Sequence, residues 1–193
     1  MAPRAGLDHQ MVVQAAIELA DTKGLHEVTL TLLANRLGVR TPTLYHYMAD
    51  GLYGLRRQLA LAGLRELAAR LGRAAMGRAG DDAVIALAHA HLAFAREHPG
   101  LYTATSQAAS PDDSQWYEAG REVVEIALSV LAAYQLPHDE AIHAIRILRC
   151  LIHGFIELQA AGGFRLPQDV DETFQRLLDM FLGDLHYRQA IGK

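Results

Sequence analysis

Residues 29–47 read TLTLLANRLGVRTPTLYHY, and this stretch predicts two short helices that cross at a steep angle. Ala34 supplies the small residue that the crossing point needs. Gly38, four residues later, supplies the residue that tolerates the positive φ of the turn. The small core between the helices is expected to contain Leu33, Leu37, Val39 and Leu44. The stretch is therefore typical of a helix-turn-helix.

The second of these helices is expected to begin with Thr41 as its cap and Pro42 in its first turn. It carries hydrogen-bonding and aromatic side chains suited to base edges, thymine methyl groups and phosphates. Those side chains are Arg40, Thr41, Thr43, Tyr45, His46 and Tyr47. Any two helices joined by a glycine turn share the spacing, but here the spacing, the Thr-Pro start and the polar-aromatic face coincide. The stretch therefore favours binding to nucleic acid.

Helical periodicity also dominates the rest of the chain, and no segment alternates as a strand does. The first helix is expected to run from its cap, Asp8, to about Thr22. Later helices are expected near 50–72, 82–97, 100–108, 114–134, 138–161 and 169–187. The sequence thus predicts an all-α protein of about nine helices. A three-helix helix-turn-helix DNA-binding domain is expected over 1–50, followed by a C-terminal helical bundle over 51–193, to which the family resemblance described below assigns ligand binding and dimerisation.

Composition narrows the possible functions. The 193 residues carry a net charge of −4, which argues against a protein coated in nucleic-acid-binding surface. Residues 1–80 nevertheless hold ten Lys/Arg against six Asp/Glu, whereas residues 81–193 hold eight against sixteen. A single cysteine excludes an intrachain disulfide framework. With no apolar run of roughly 18 residues, we expect a cytoplasmic, nucleoid-associated protein without a membrane partner.

The chain resembles the tetracycline-repressor (TetR) family of bacterial transcriptional regulators. The shared pattern is Val13-x-Ala15-Ala16-x-x-Leu19, Gly24, Thr29, Leu33-Ala34-x-x-Leu37-Gly38-Val39 and Thr41-Pro42-Thr43-Leu44-Tyr45. The resemblance implies a homodimer that binds a palindromic operator through its N-terminal helices and is released by a small-molecule inducer bound in the C-terminal bundle. It places the DNA contacts on Thr29, Thr31, Arg40, Thr41, Pro42, Thr43, Tyr45, His46 and Tyr47. Residues 149–155, RCLIHGF, resemble the C-terminal class named for its Trp, His and Gly residues, although this helix lacks the Trp.

The chain departs from the family pattern just after the second helix. Met48 stands where the family has an aromatic residue or valine, and Gly51 stands where it has a lysine. Either Arg56 or Arg57 is a candidate to replace the phosphate contact of that lysine. The departures also motivate an alternative, a helical ligand-binding or scaffold protein that has lost sequence-specific DNA binding. Arg4, in the N-terminal arm, is either a further DNA contact or part of a solvated arm.

The histidines, the cysteine and the absence of catalytic motifs all argue against an enzyme. The ten histidines lack the spacing of a metal site, so neither a metal nor a cofactor is expected. Cys150 is flanked by Leu148, Leu151 and Ile152, which predicts a buried, inert thiol. The chain has no glycine-rich phosphate loop, no Gly-x-Ser-x-Gly elbow and no paired carboxylates, so an enzyme is not expected.

Two further sets of residues are predicted in the C-terminal half. The inducer, expected to be largely apolar, is predicted to contact His91, Phe94, Tyr102, Trp116, Tyr117 and His153. The last two helices carry long apolar faces that suit a twofold contact between subunits. That contact is predicted to include Ile145, Ile152, Phe155, Phe174, Leu178 and Phe181.

Overall fold

A computed structural model describes residues 7–107, 110 and 112–191. This part of the chain contains nine α-helices and no strand. They are α1 His9–Lys23, α2 Leu30–Leu37, α3 Thr41–Leu44, α4 Gly51–Ala75, α5 Gly80–Glu97, α6 Pro99–Thr105, α7 Ser114–Leu131, α8 His138–Ala160 and α9 Val170–Ile191. Short 3₁₀ turns occupy Leu25–Glu27 and Ala132–Tyr134. The prediction of an all-α fold is confirmed.

Local capping chemistry accounts for several helix ends. The Asp8 carboxylate accepts a hydrogen bond of 2.7 Å from the backbone N–H of Met11 and so starts α1. The predicted capping role of Thr41 is wrong, because Thr41 is already the first residue of α3 and Arg40 takes the cap position without a side-chain bond. Pro42 does lie in the first turn of α3, where its missing N–H costs no hydrogen bond.

The described residues group into two compact units. Unit 1 contains the described residues of 1–66 and 97–119, and unit 2 contains those of 67–96 and 120–193. The helix α4 therefore contributes residues to both units. These units do not coincide with the domains predicted at 1–50 and 51–193, because α6 groups with the first three helices.

Within unit 1, α6 is attached directly to α1. The Asp21 carboxylate of α1 accepts hydrogen bonds of 3.0 Å from the backbone N–H groups of Gly100 and Leu101, and lies 2.8 Å from Nδ1 of His98. A Cβ added to Gly100 would lie 2.1 Å from the carbonyl carbon of Ala20, so only glycine permits this approach. The first turn of α6 is thus capped by a side chain from another helix.

The core of unit 2 corrects the predicted subunit contact. Ile152, Phe155, Phe174, Leu178 and Phe181 are all buried within the chain itself. The ring of Phe155 packs against that of Phe174 with centroids 4.9 Å apart, so these side chains join α8 to α9. Ile145 is half-buried. Because their surface is already covered, the five buried side chains have no area left to offer to a second subunit.

Two other features of the described residues are the exposure of the single cysteine and the polarity of the long helices. Cys150 is exposed, so the prediction of a buried thiol is wrong. Because successive helix residues are rotated by 100°, Cys150 points away from the core that its neighbours Leu148 and Ile152 face. No helix in the described ranges is long and apolar enough to cross a membrane.

Candidate nucleic-acid interface

The helix α2 is built by a threonine cap and two buried contacts. The Thr29 hydroxyl oxygen accepts a 3.1 Å hydrogen bond from the backbone N–H of Leu32, which leaves the hydroxyl hydrogen to donate outward. Leu33 and Ala34 are buried where α2 meets its neighbours. Thr29, the cap residue, and Thr31 are both exposed. Thus α2 presents two hydroxyl groups on an anchored helix.

The turn after α2 depends on Gly38. Its φ of +67° lies in the left-handed region, where a side chain would be strained. The next residue, Val39, donates its N–H to the carbonyl of Ala34 at 3.0 Å, which closes the end of α2. The turn therefore redirects the chain into α3 without leaving that carbonyl unpaired.

Two buried side chains hold α3 against the rest of unit 1. Leu44 and Met48 are buried, and the N–H of Met48 donates to the carbonyl of Leu44 at 2.8 Å. Met48 is thus a core residue, so its departure from the family pattern alters the interior of the unit rather than its outer surface. Gly51, with φ +59°, begins α4, and a Cβ there would lie 3.4 Å from the ring of Tyr45.

The outer surface of α2 and α3 carries most of the predicted DNA contacts. Tyr45 leaves 52% of its surface exposed, although it adjoins the core residue Leu44. The other exposed members are Thr29, Thr31, Arg40, Pro42 and His46, and the half-buried members are Thr41 and Thr43. The hydroxyl, guanidinium, imidazole and phenol groups of these residues can bond to base edges and phosphates.

Tyr47 differs from the other predicted contacts. It is half-buried, and its hydroxyl donates a 2.7 Å hydrogen bond to the carbonyl of Leu7, just before α1. To donate to a DNA phosphate, this hydroxyl would first have to break that bond. Tyr47 thus ties the start of α1 to the end of α3. Arg4, the other candidate near this end of the chain, lies outside the described residues.

The structure separates the two arginines considered as phosphate contacts. Arg57 is engaged by the carboxylate of Asp113, with Nη2 at 2.8 Å from Oδ1, and by the side-chain oxygen of Gln115 at 3.0 Å. The guanidinium of Arg57 holds the pKa of the Asp113 carboxyl below its usual range. Asp113 also receives the N–H of Trp116 at 3.2 Å. Arg57 therefore joins α4 to the start of α7 and is not available to replace the phosphate-contacting lysine of the family pattern. Arg56, the other candidate, is half-buried.

The six predicted inducer contacts divide between the two units. In unit 1, Tyr102 and Trp116 are buried, whereas Tyr117 leaves 68% of its surface exposed. Tyr117 therefore lies on the outside of α7. In unit 2, Phe94 is buried and His91 and His153 are half-buried.

Sequence reasoning missed Asp21, which caps α6 from another helix. The available signal was that α6 begins with His-Pro-Gly and has no capping side chain of its own. A helix start without a local acceptor calls for one elsewhere in the fold. The identity of that acceptor was not predictable, since Asp21 precedes Gly100 by 79 positions.

Comparison with known proteins agrees with this geometry. The family model described as bacterial regulatory proteins, tetR family, matches residues 12–48. A second model, described as tetracyclin repressor-like, C-terminal domain, matches residues 84–181. The chain is also 36% identical over 186 residues to YobS, an HTH-type transcriptional regulator of Bacillus subtilis (strain 168), covering 96% of each chain. The chain belongs to the TetR family. It is therefore a helix-turn-helix transcriptional regulator, and the matched residues 12–48 include α2 and α3.

Other relatives extend the comparison. Rv0681, an HTH-type transcriptional regulator of Mycobacterium tuberculosis, is 32% identical over 189 residues, covering 97% of this TetR-family chain and 82% of the relative. A protein of unknown function from Rhodococcus sp. RHA1 shares the fold with a TM-score of 0.80, 24% identity and coverage of 96% and 100%. A TetR variant from Acinetobacter baumannii AYE in complex with minocycline shares it with a TM-score of 0.71, 23% identity and coverage of 94% and 98%. The resemblance to the Trp-His-Gly class stays a prediction.

Proposed function

We propose that this protein is a homodimeric repressor that binds a palindromic operator in the cytoplasm and releases it when a small molecule binds. The observation that carries the proposal is the exposed surface of Thr29, Arg40, Tyr45 and His46 beside a buried core. Such a surface provides groups for phosphates and base edges on a fixed scaffold. No catalytic step is part of the proposal.

The proposed dimer contact uses the outward faces of α8 and α9. Ile147 and Leu158 of α8, and Met180 and Tyr187 of α9, are exposed apolar or aromatic side chains. A Cβ added to Gly154 would meet nothing within 4 Å, so a partner helix can approach α8 closely there. A second copy is the occupant we propose, because a palindromic operator requires twofold symmetry.

The proposed effector is a small, largely apolar molecule bound in the C-terminal bundle. Support comes from a relative of the same fold, since the Acinetobacter baumannii TetR variant is in complex with minocycline. Effector binding would shift the separation of the two recognition helices away from the roughly 34–36 Å of successive major grooves. The expected coupling free energy is about 1–3 kcal/mol.

A footprint of the protein on the DNA upstream of its own coding region tests the proposal. We expect protection of two inverted half-sites about one helical turn apart, with two chains bound per duplex by sedimentation. Binding should weaken steeply with added salt, because phosphate contacts release counterions. Protection of a single half-site by one chain would contradict the homodimer. An absence of protection at low salt would instead favour a scaffold that has lost DNA binding.

A further inference from the structure

Gly51, one of the two departures from the family pattern, is buried although the residues just before it, Ala49 and Asp50, are exposed. Its N–H donates to the carbonyl of Met48 at 3.0 Å, which closes the turn between α3 and α4. The same turn gives Gly51 a φ of +59°, in the left-handed region where a side chain is strained. The turn therefore accounts for a glycine at this position but not for its burial.

The space beside Gly51 is occupied by side chains from two other elements. A Cβ added to Gly51 would lie 3.4 Å from a ring carbon of Tyr45, 4.0 Å from the Tyr45 hydroxyl oxygen and 3.8 Å from Cδ1 of Leu30. Leu30 begins α2, and Tyr45 directly follows α3. The Tyr45 ring thus lies against the bare backbone at the start of α4, at the point where α2 also comes close.

This contact leaves little room for a side chain at position 51. Non-bonded carbon atoms prefer separations of about 3.5–4.0 Å, so a single methyl group on Gly51 would already touch the ring. A longer side chain extends past that distance and competes with the ring of Tyr45 for the same space. The position of the ring therefore depends on the missing side chain of Gly51.

Tyr45 has one side against the protein and one side open to solvent. The residue leaves 52% of its surface exposed. Within the part of the chain that the structure describes, no hydrogen bond engages its hydroxyl, whereas the hydroxyl of Tyr47 donates to the carbonyl of Leu7. A side chain that is already held in place loses less conformational entropy when it binds a partner. Contact with Gly51 thus prepares the Tyr45 hydroxyl for binding.

A second glycine shows that the contact is not a general property of this kind of helix start. Gly80 begins α5 with a φ of +57°, close to the value at Gly51. A Cβ added to Gly80 would nevertheless meet nothing within 4 Å. The left-handed backbone and the close contact are therefore separate features, and the contact with Tyr45 distinguishes Gly51 from Gly80.

We propose that Gly51 is a positioning residue for DNA recognition, because its missing side chain lets the Tyr45 ring lie against the start of α4 and so places the Tyr45 hydroxyl for contact with the operator. The inference rests on the proposed function, in which Tyr45 belongs to the DNA-binding surface. The departure from the family pattern at Gly51 then forms part of that surface and does not mark its loss. A side chain at position 51 should weaken operator binding through Tyr45.

The first test compares the operator affinity of Gly51→Gln with that of Gly80→Gln. Both variants receive the same uncharged side chain at the first residue of a helix with nearly the same φ, so both carry similar backbone strain and neither gains a charge. We expect Gly51→Gln to weaken operator binding roughly tenfold, and Gly80→Gln to stay within about twofold of the wild type. Equal operator affinity in the two variants overturns the proposal.

A double-mutant cycle tests whether Gly51 acts through Tyr45. In a Tyr45→Ala background, Gly51→Gln should change operator affinity by less than about twofold, because the ring that it displaces is absent. A merely structural role would give the same roughly tenfold loss in both backgrounds, and that result overturns the proposal. Gly51→Asn takes the place of Gly51→Gln if the latter fails to fold, since asparagine tolerates the left-handed region.

A measurement without DNA follows the contact itself. The full chain is labelled with 3-fluorotyrosine, and the ¹⁹F NMR signal of Tyr45 is identified by its absence from Tyr45→Phe. This signal should shift in Gly51→Gln and keep its wild-type position in Gly80→Gln. A Tyr45 signal that is unmoved in Gly51→Gln overturns the proposal, because the ring would then not lie against position 51.

The same variants separate this inference from the proposed function. Weak operator binding by Tyr45→Ala together with wild-type binding by Gly51→Gln refutes the positioning role alone and leaves the repressor in place. A wild-type chain that protects no operator refutes the proposed function and the positioning role with it. Loss of binding in Gly51→Gln, with a shifted Tyr45 signal and no further loss in the Tyr45→Ala background, supports both.

Discussion

Replacement of Gly100 by alanine should detach α6 from α1. The added Cβ would lie 2.1 Å from the carbonyl carbon and oxygen of Ala20 and 2.7 Å from its Cβ. Non-bonded carbon atoms prefer separations of about 3.5–4.0 Å, so α6 must withdraw by more than about 1 Å. The contacted atoms belong to the backbone of α1, which cannot step aside as a flexible side chain can.

The withdrawal removes the cap of α6. The N–H groups of Gly100 and Leu101 each lie 3.0 Å from the Asp21 carboxylate, and an added separation of that size exceeds hydrogen-bond range. Loss of a cap costs about 0.5–2 kcal/mol, and overpacking adds about 1–3 kcal/mol. We therefore expect Gly100→Ala to lower the free energy of unfolding by about 2–4 kcal/mol. For a chain of this size the Tm should fall by roughly 5–15 °C.

The assay is thermal unfolding followed by circular dichroism, with Gly120→Ala as the control. Gly120 lies inside α7, and a Cβ there would meet nothing within 4 Å. Because alanine favours a helix over glycine by about 1 kcal/mol, the control should be neutral or stabilised. Equal melting temperatures for the two variants would refute the close packing of α6 on α1. Faster hydrogen exchange at Leu101 in Gly100→Ala alone would support it.

Four further substitutions test other contacts. The Phe181 side chain is only 3% exposed, so Phe181→Ala should lower the free energy of unfolding, measured by calorimetry, by about 3–5 kcal/mol. The Met180 side chain is 73% exposed, so Met180→Asp should keep the fold and disrupt the dimer in sedimentation. A destabilised Met180→Asp monomer would show that this side chain belongs to the core. Hydrogen bonds from Tyr134 and His186 lower the pKa of the Asp81 carboxyl from its ordinary value of 3.8. The ionised carboxylate therefore contributes its full stabilisation above pH 3.8, and this contribution is lost as the pH falls through the lowered pKa. The Tm difference between wild type and Asp81→Asn should accordingly shrink in acid, and a difference that persists at the lowest pH would contradict this pairing. Arg57→Met should lower stability by about 1–3 kcal/mol while leaving the salt dependence of operator binding unchanged, and a smaller salt slope would mean that Arg57 meets a phosphate after all.

The helices and the helix-turn-helix were predictable because their signals are local. Asp8 caps α1 within three residues, and Gly38 takes the positive φ that the turn requires. Each signal depends on the conformation of a few consecutive residues, so neither needs knowledge of the tertiary fold. The surface of α3 followed from the same reasoning, since Leu44 marks the buried side and Tyr45 the exposed one.

The direction in which a helix face points was less predictable. On α9, Phe181 is buried and its neighbour Met180 is exposed, yet both are large and apolar. Sequence periodicity identifies two apolar faces without indicating which one packs inside the chain. The predicted subunit contact therefore selected core residues, and the exposed apolar face was left out.

Pairings between distant residues were not predictable either. Arg57 was a candidate phosphate contact until its pairing with Asp113, 56 positions later, was known. Asp21 is likewise an ordinary acidic residue of α1 until α6 is placed against it. Both pairings depend on which helices become neighbours, and a single sequence does not encode that in any local pattern.

Operator affinity of Thr43→Ala and Tyr45→Ala, measured by fluorescence anisotropy on the footprinted duplex, tests the central claim most directly. Tyr45 is exposed and Thr43 is half-buried, and the two flank the buried Leu44. If they contact DNA, each variant should lose about 1–3 kcal/mol of binding free energy while the melting temperature and the dimer stay as in the wild type. Wild-type affinity in both variants, with the fold intact, would contradict the assignment of α3 as the DNA-reading helix.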